Sequence, residues 1–188
     1  MWISEDRVKK LCRRFDDRQH AHELTFSCYR KLPLLAMDAT RTWLLEAIDR
    51  ARATHELALW AFVVMPEHAH VIVFPKRPDY SISAVLKSIK QPVARKAINH
   101  LRKHAPDWLR NLEVRRGDGQ VVHQFWEAGG GYDRNVRNVD TLWQMIDYVH
   151  LNPVRRGLAK AATDWEWSSA RQYAAVDGVR LPVDDPAM

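Results

Sequence analysis

His68 and His70 flank Ala69 in the run Val63-Val64-Met65-Pro66-Glu67-His68-Ala69-His70-Val71-Ile72-Val73. On a strand, residues two apart project from the same face, so both imidazoles can converge on one cation while Ala69 turns into a core. Neutral imidazole nitrogens are common metal ligands. Taken alone the triplet is a weak motif, and two unrelated histidines on a half-exposed strand would be the plainer reading. Its place at the head of an apolar strand, directly after a Pro-containing connection, is what gives it weight. Glu67 could contribute a carboxylate, but strand alternation turns it away from the histidine face and favours a solvated role.

The chain also carries five phenols that could serve as nucleophiles, Tyr29, Tyr80, Tyr132, Tyr148 and Tyr173. Tyr132 follows the glycines 129 to 131 and reads as the start of a helix, from which its hydroxyl could swing into a site on a sheet. Tyr148 is the rival. It shares a helix with Leu142, Met145 or Ile146, and Val149 at core-like spacing, and reads as packing. Positive charge gathers in two places. Lys87, Lys90, Arg95, Lys96, Arg102 and Lys103 lie along one helical stretch, and Arg134, Arg137, Arg155 and Arg156 lie near Tyr132 and Tyr148. Either group could neutralise phosphates, although a solvated basic face explains each residue singly about as well. Trp126, beside the glycine run, is the tryptophan placed to stack on an unpaired base; core filling is the better prior for tryptophans in general.

The elements that would position these residues follow from hydrophobic periodicity. Glu23 to Tyr29 alternates and forms a first strand with Leu24, Phe26 and Cys28 on one face. Asp38 can cap a helix carrying Trp43, Leu44, Ala47, Ile48 and Ala51 and ending near Thr54-His55. Leu59 to Val64 and His68 to Phe74 make two adjacent strands. Ser81 to His104 is helical, interrupted or kinked at Pro92, and Leu112 to Trp126 reads as another strand or a hairpin. This order predicts an α+β fold, a ferredoxin-like split βαβ sheet with helices on one face. A C-terminal helical extension follows, with a helical stretch carrying Tyr132 and a helix from about Thr141 to Leu151. The expected organisation is a lead-in segment at 1–20, one domain at 21–173 and a tail at 174–188.

Composition bounds the rest. The 188 residues are 46% hydrophobic and 28% charged, an ordinary globular balance rather than that of a disordered chain. Lys+Arg number 29 against 23 Asp+Glu, which makes a polyanion a natural partner without proving one. Cys12 and Cys28 form no CxxC pair and read as free thiols. With no apolar signal core and no uncharged apolar run long enough to span a bilayer, the expectation is a cytoplasmic protein with no membrane partner.

The histidine segment resembles the HUH family of single-tyrosine transposases. Phe125 to Asn135, the run Tyr148-Val-His-Leu-Asn152-Pro153-Val154-Arg155-Arg156-Gly157-Leu158, and Asp164-Trp165-Glu-Trp167-Ser168-Ser169 resemble the later motifs of its REP-associated branch. The resemblance covers roughly residues 20 to 173. It implies a metal-dependent endonuclease and strand transferase in which a tyrosine attacks single-stranded or hairpin DNA, such as repeated palindromes. The products would be a 5′-phosphotyrosine, whose bond energy is conserved for rejoining, and a free 3′-hydroxyl. It further implies Mg²⁺ or Mn²⁺ on His68 and His70, with Tyr132 as nucleophile and an amide ligand one turn further on. Asn135 is the nearest candidate for that amide, since four residues on stands Val136. Lys87, Lys90, Arg95, Arg134, Arg137 and Trp126 would meet the DNA, and a monomer is favoured over a homodimer. Two rivals are a DNA-binding protein of this fold that no longer cuts, and a metallohydrolase acting on a small ester.

Overall fold

The computed structural model describes residues 20–129 and 131–186. The lead-in segment except His20 lies outside them, Cys12 included. Strand β1 (Ala21–Ser27) is followed by helix α1 (Asp38–Thr54), strands β2 (Leu57–Val64) and β3 (His68–Pro75), and helix α2 (Ile82–His104). Next come the short helix α3 (Pro106–Leu109), a hairpin of β4 (Glu113–Arg115) and β5 (Val121–His123), and strand β6 (Tyr132–Val136). Helix α4 (Val139–His150) and the single-turn helices α5 (Asn152–Arg155) and α6 (Ala170–Tyr173) complete the chain. The main sheet is antiparallel in the order β2-β3-β1-β6. This is the α+β, ferredoxin-like arrangement that the element order implies.

Its fourth strand is not where the sequence pattern points. Residues 113–123 form a separate two-stranded hairpin, and the segment carrying Tyr132, expected as a helix, is β6, paired with β1 from Ala21↔Val136 to Thr25↔Tyr132. Partner strands far away in sequence decide this. Tyr-Asp-Arg-Asn-Val has no apolar stripe for a helix to bury, whereas β1 offers it an unpaired edge.

Strand β1 divides the molecule. Leu24, Phe26 and Cys28 face a core built with α1 and α2, through Leu44, Ile48, Ile82, Val85, Leu86, Ile89 and Val93. Each such buried aliphatic or aromatic side chain contributes about 1.5–3 kcal/mol. α2 runs unbroken through Pro92, and its N-terminus is capped by the Ser81 hydroxyl accepting from the Ala84 amide. On the opposite face, Ile72, Trp60 and Val136 pack against Leu142, Met145, Ile146 and Val149 of α4. The C-terminal extension therefore covers the face that α1 and α2 leave open. Because β2 and β3 are covered on both sides, they are apolar almost throughout. α4 begins at Asn138, whose side-chain oxygen accepts from the Thr141 amide at 2.8 Å.

The free edge of β2 is sealed by the chain's last segment. Val64 N donates to Trp167 O at 2.8 Å, Ser169 N to Phe62 O at 3.1 Å, and Asp184 N to Leu59 O at 2.7 Å. Leu181 and Val183 join the first core, so that core extends past residue 173 into the tail. Cys28 is a free, buried thiol, pushed by burial up to about 12. Among the described residues no helix is long and apolar enough to cross a membrane.

Candidate active site

Alternation puts Glu23, Thr25 and Ser27 of β1 on the α4 side of the sheet, opposite the Phe26 core. In the antiparallel register Thr25 stands against His70 and Ser27 against His68. The two imidazoles consequently share a face, with ring centroids 5.0 Å apart. Both are nearly buried.

Each histidine is oriented through Nδ1. His70 Nδ1 lies 2.9 Å from Glu23 Oε1 and 2.8 Å from Thr25 Oγ1, while the Thr25 hydroxyl donates to the same Glu23 oxygen. His68 Nδ1 lies 3.1 Å from Glu67 Oε1. A carboxylate on Nδ1 fixes the tautomer with the proton there and leaves the Nε2 lone pair free, the usual support of a metal-bound histidine. Burial raises the Glu23 carboxyl, but the hydrogen bond and charge of His70, with Thr25 and Arg134, outweigh it and hold the group below its ordinary value. Burial and the neighbouring His70 push His68 down to about 4, so it is neutral and able to ligate near pH 7. Glu67 is not the solvated group that alternation suggests. Its side chain is largely buried and also bonds Arg156 Nη1 at 2.8 Å.

Helices α4 and α5 bring two further residues, Tyr148 and Asn152. The Tyr148 ring stands edge-on to His70 with centroids 5.8 Å apart, and the Arg155 guanidinium lies 4.7 Å from the Tyr148 centroid. Asn152 is buried and its side-chain nitrogen lies 3.2 Å from His70 Nε2. Which amide atom faces the ring is a matter of assignment at such contacts. A half-turn of the amide would turn Oδ1 toward His70 Nε2, and two imidazole nitrogens with an amide oxygen are donors that suit a divalent ion. Among the described residues no group of three or more His, Cys, Asp and Glu side chains forms such a site. A cleft of about 800 Å³ opens over this group, lined by Thr25, Ser27, Lys31, Glu67, His68, His70, Tyr148, Asn152, Arg155 and Arg156.

Tyr132 lies two strands from His70 in the same cross-strand row, with Thr25 between them, and lines with Glu23, Thr25, His70, Arg134, Gln144 and Tyr148 a second cavity of about 450 Å³. It is on a strand, not on a helix that could swing. Asn135 is a correction as third ligand: on a strand the three-residue spacing puts it on the face opposite Tyr132, turned away from the histidines. Arg134 stands directly against Glu23 at the site. Trp126 is corrected too. It is buried against Phe26, with its Nε1 donating to Lys90 O at 2.8 Å, so it presents no open face to a base. Lys90 in turn donates to Gly129 O at 2.9 Å. Lys87 and Arg95 are exposed on α2, with the sheet between them and the histidines, while Arg137 is exposed just past β6.

Tyr148 and Asn152 carried a legible signal. They stand four residues apart, which places them on one helical face, and it is the spacing that fails at Tyr132, where the corresponding residue is Val136.

The antiparallel sheet and the oriented histidine pair agree with what the resemblance to the HUH family implies. A Haemophilus influenzae protein named as a REP-associated tyrosine transposase is 22% identical over 143 residues, covering 72% of this chain and 76% of its own length. The REP-associated tyrosine transposase of Escherichia coli K12 is 28% identical over 129 residues, 69% of this chain and 64% of its own. A solved structure of a REP-associated tyrosine transposase bound to a REP hairpin superposes with a TM-score of 0.64 at 20% identity, covering 99% of this chain and 95% of that one, and it supports the fold. No protein-family model matches the chain. In sequence and fold the chain is similar to the REP-associated tyrosine transposases.

Proposed function

We propose that this chain is a transposase-type enzyme that nicks and rejoins hairpin or single-stranded DNA through a covalent phosphotyrosine, with Tyr148 as the nucleophile. One observation carries the reading: Tyr148 and Asn152, one helical turn apart, both stand against His70, whose partner His68 shares the face. The relatives' names point the same way, and the solved structure of similar fold is bound to a REP hairpin.

His68 Nε2, His70 Nε2 and the Asn152 amide oxygen would hold Mg²⁺ or Mn²⁺, histidine donors favouring the latter. Such an ion polarises the phosphate and offsets charge developing on its oxygens. The chain supplies the remainder. Glu23 and Glu67 fix the imidazoles, α4 holds the phenol beside them, and Arg155, stacked on the Tyr148 ring, stabilises the phenolate that attacks. Attack at phosphorus forms the bond to Tyr148 Oη and releases a 3′-hydroxyl. Attack by another 3′-hydroxyl on the phosphotyrosine reverses it without external energy.

The test is incubation with a labelled palindromic hairpin and Mn²⁺, followed by denaturing electrophoresis. A protein–DNA adduct lost in Tyr148→Phe supports the reading. Hairpin binding with no adduct would instead identify a DNA-binding protein that has lost cleavage.

A further inference from the structure

Cleavage of a phosphodiester leaves an alkoxide at O3′ unless a proton reaches it, and nothing described so far supplies one. We propose that Lys31 is the general acid for the departing 3′-oxygen, and in the reverse step the base for the incoming 3′-hydroxyl. The inference rests on the reading of Tyr148 as nucleophile.

Position comes first. Lys31 Nζ donates to Ser27 Oγ at 2.7 Å, and Ser27 is the residue of β1 directly opposite His68. Tyr148 stands on the other side of the pair, against His70. The two side chains thus line one cleft with the histidines between them. In-line displacement at phosphorus requires the nucleophile and the leaving oxygen on opposite sides. With Tyr148 entering from the His70 side, O3′ departs on the side where the Lys31 ammonium waits. Its charge reaches His68, where it adds to burial and His70 in keeping that imidazole neutral.

Chemistry selects Lys31 among the cations of the cleft. A guanidinium does not give up its proton under working conditions. Arg156 is held by Glu67, and Arg155 lies over the Tyr148 ring.

The backbone supports the same conclusion. Arg30 and Lys31 are consecutive non-glycine residues in the left-handed region, at φ 52° and 55°. Such strain persists only where neighbours over-determine it, and it gathers at functional sites. Here Tyr29 N donates to Phe125 O at 2.9 Å and Arg30 N to Glu127 Oε1 at 2.6 Å, fixing the turn that aims Lys31 at Ser27.

The step balances. The phenol loses its proton to solvent, the Oη–P bond forms, and the P–O3′ bond breaks with its electron pair on O3′. One ammonium proton of Lys31 moves to O3′, leaving a neutral amine and a 3′-hydroxyl. In rejoining, the amine takes the proton of the attacking 3′-hydroxyl, the P–O3′ bond forms as the Oη–P bond breaks, and the released phenolate takes a proton from solvent.

A strand with sulfur in place of the bridging 3′-oxygen tests this directly, because a thiolate leaves without protonation. Single-turnover adduct formation in Mn²⁺ is measured for the wild type, Lys31→Met and Lys31→Arg on both strands. Loss of a general acid should slow the oxygen strand by about 10²-fold or more in both variants. The sulfur strand should react near the wild-type rate in both, and that rescue would also show that they are folded. Equal slowing on the two strands would overturn the general-acid role while leaving Tyr148 in place. So would full activity of Lys31→Arg on the oxygen strand, since charge alone would then suffice. No adduct from the wild type on either strand would overturn the cleavage reading, and this inference with it.

Discussion

The ring of Tyr148 meets that of His70 edge to face, at an interplanar angle of 87°. Tyr132 is separated from the same histidine by the whole width of β1. Tyr148→Phe should abolish the covalent DNA adduct while hairpin binding, followed by gel shift, survives. Tyr132→Phe should keep forming it. The reverse pattern would return the nucleophile to Tyr132.

Glu23 would support the proposed metal site through His70 Nδ1 without being a ligand itself. Replacing it with Gln removes the charge behind His70 Nδ1 and leaves the Thr25 contact. Loss of such a support costs about 10–100-fold in metal affinity. Mn²⁺ titration of Glu23→Gln should show a drop of that order, and unchanged affinity would contradict the site. Chelation with EDTA should stop adduct formation in the wild type but leave hairpin binding.

Acid should loosen the fold through His150, two residues beyond Tyr148. Its Nε2 lies 2.8 Å from Ser169 Oγ, which also accepts from Phe62 N, and burial pushes its pKa from 6.5 down to about 4. Between those values the unfolded chain binds a proton that the folded one refuses. Stability is therefore fully present above pH 6.5 and falls as pH drops toward 4. A shift from 6.5 to about 4 is worth at most about 3 kcal/mol. Urea midpoints measured across this range should fall with acid in the wild type and less steeply in His150→Gln; parallel curves would remove His150 as the cause.

Gly131 is required by space and by backbone. Its φ is +74°, and a Cβ there would lie 2.0 Å from the carbonyl oxygen of Thr25. Gly131→Ala should cost about 1–3 kcal/mol in strain alone, with more if β6 is pushed off β1. Thermal unfolding would measure the loss. A melting temperature equal to the wild type would show that the close approach is not maintained.

Much of this arrangement could be read from the chain. The paired histidines declared themselves because Ala69 and the valines after it make the strand unmistakable, and α1, α2 and α4 followed from apolar residues at helical spacing. β6 did not, because only Val136 is buried in it and its partner strand lies more than a hundred residues earlier. The effect spreads from there: a helix at Tyr132 makes Asn135 look like a ligand, which the strand does not allow. Tyr148 sits on the same helix as Leu142, Ile146 and Val149, but it remains 45% exposed, on the edge of their buried stripe. Glu23 and Thr25 were legible only as alternating strand residues, since their roles depend on the register with β3.

Strand β1 supports the histidines with one set of side chains and fills the centre of the core with the other. Sliding it by a single residue against β3 would drive two hydroxyls and a carboxylate into hydrocarbon and strand Leu24 and Phe26 among the imidazoles. Hydrophobic collapse and catalytic assembly therefore share one alignment. A mispaired chain would lose its core and the support of both imidazoles together.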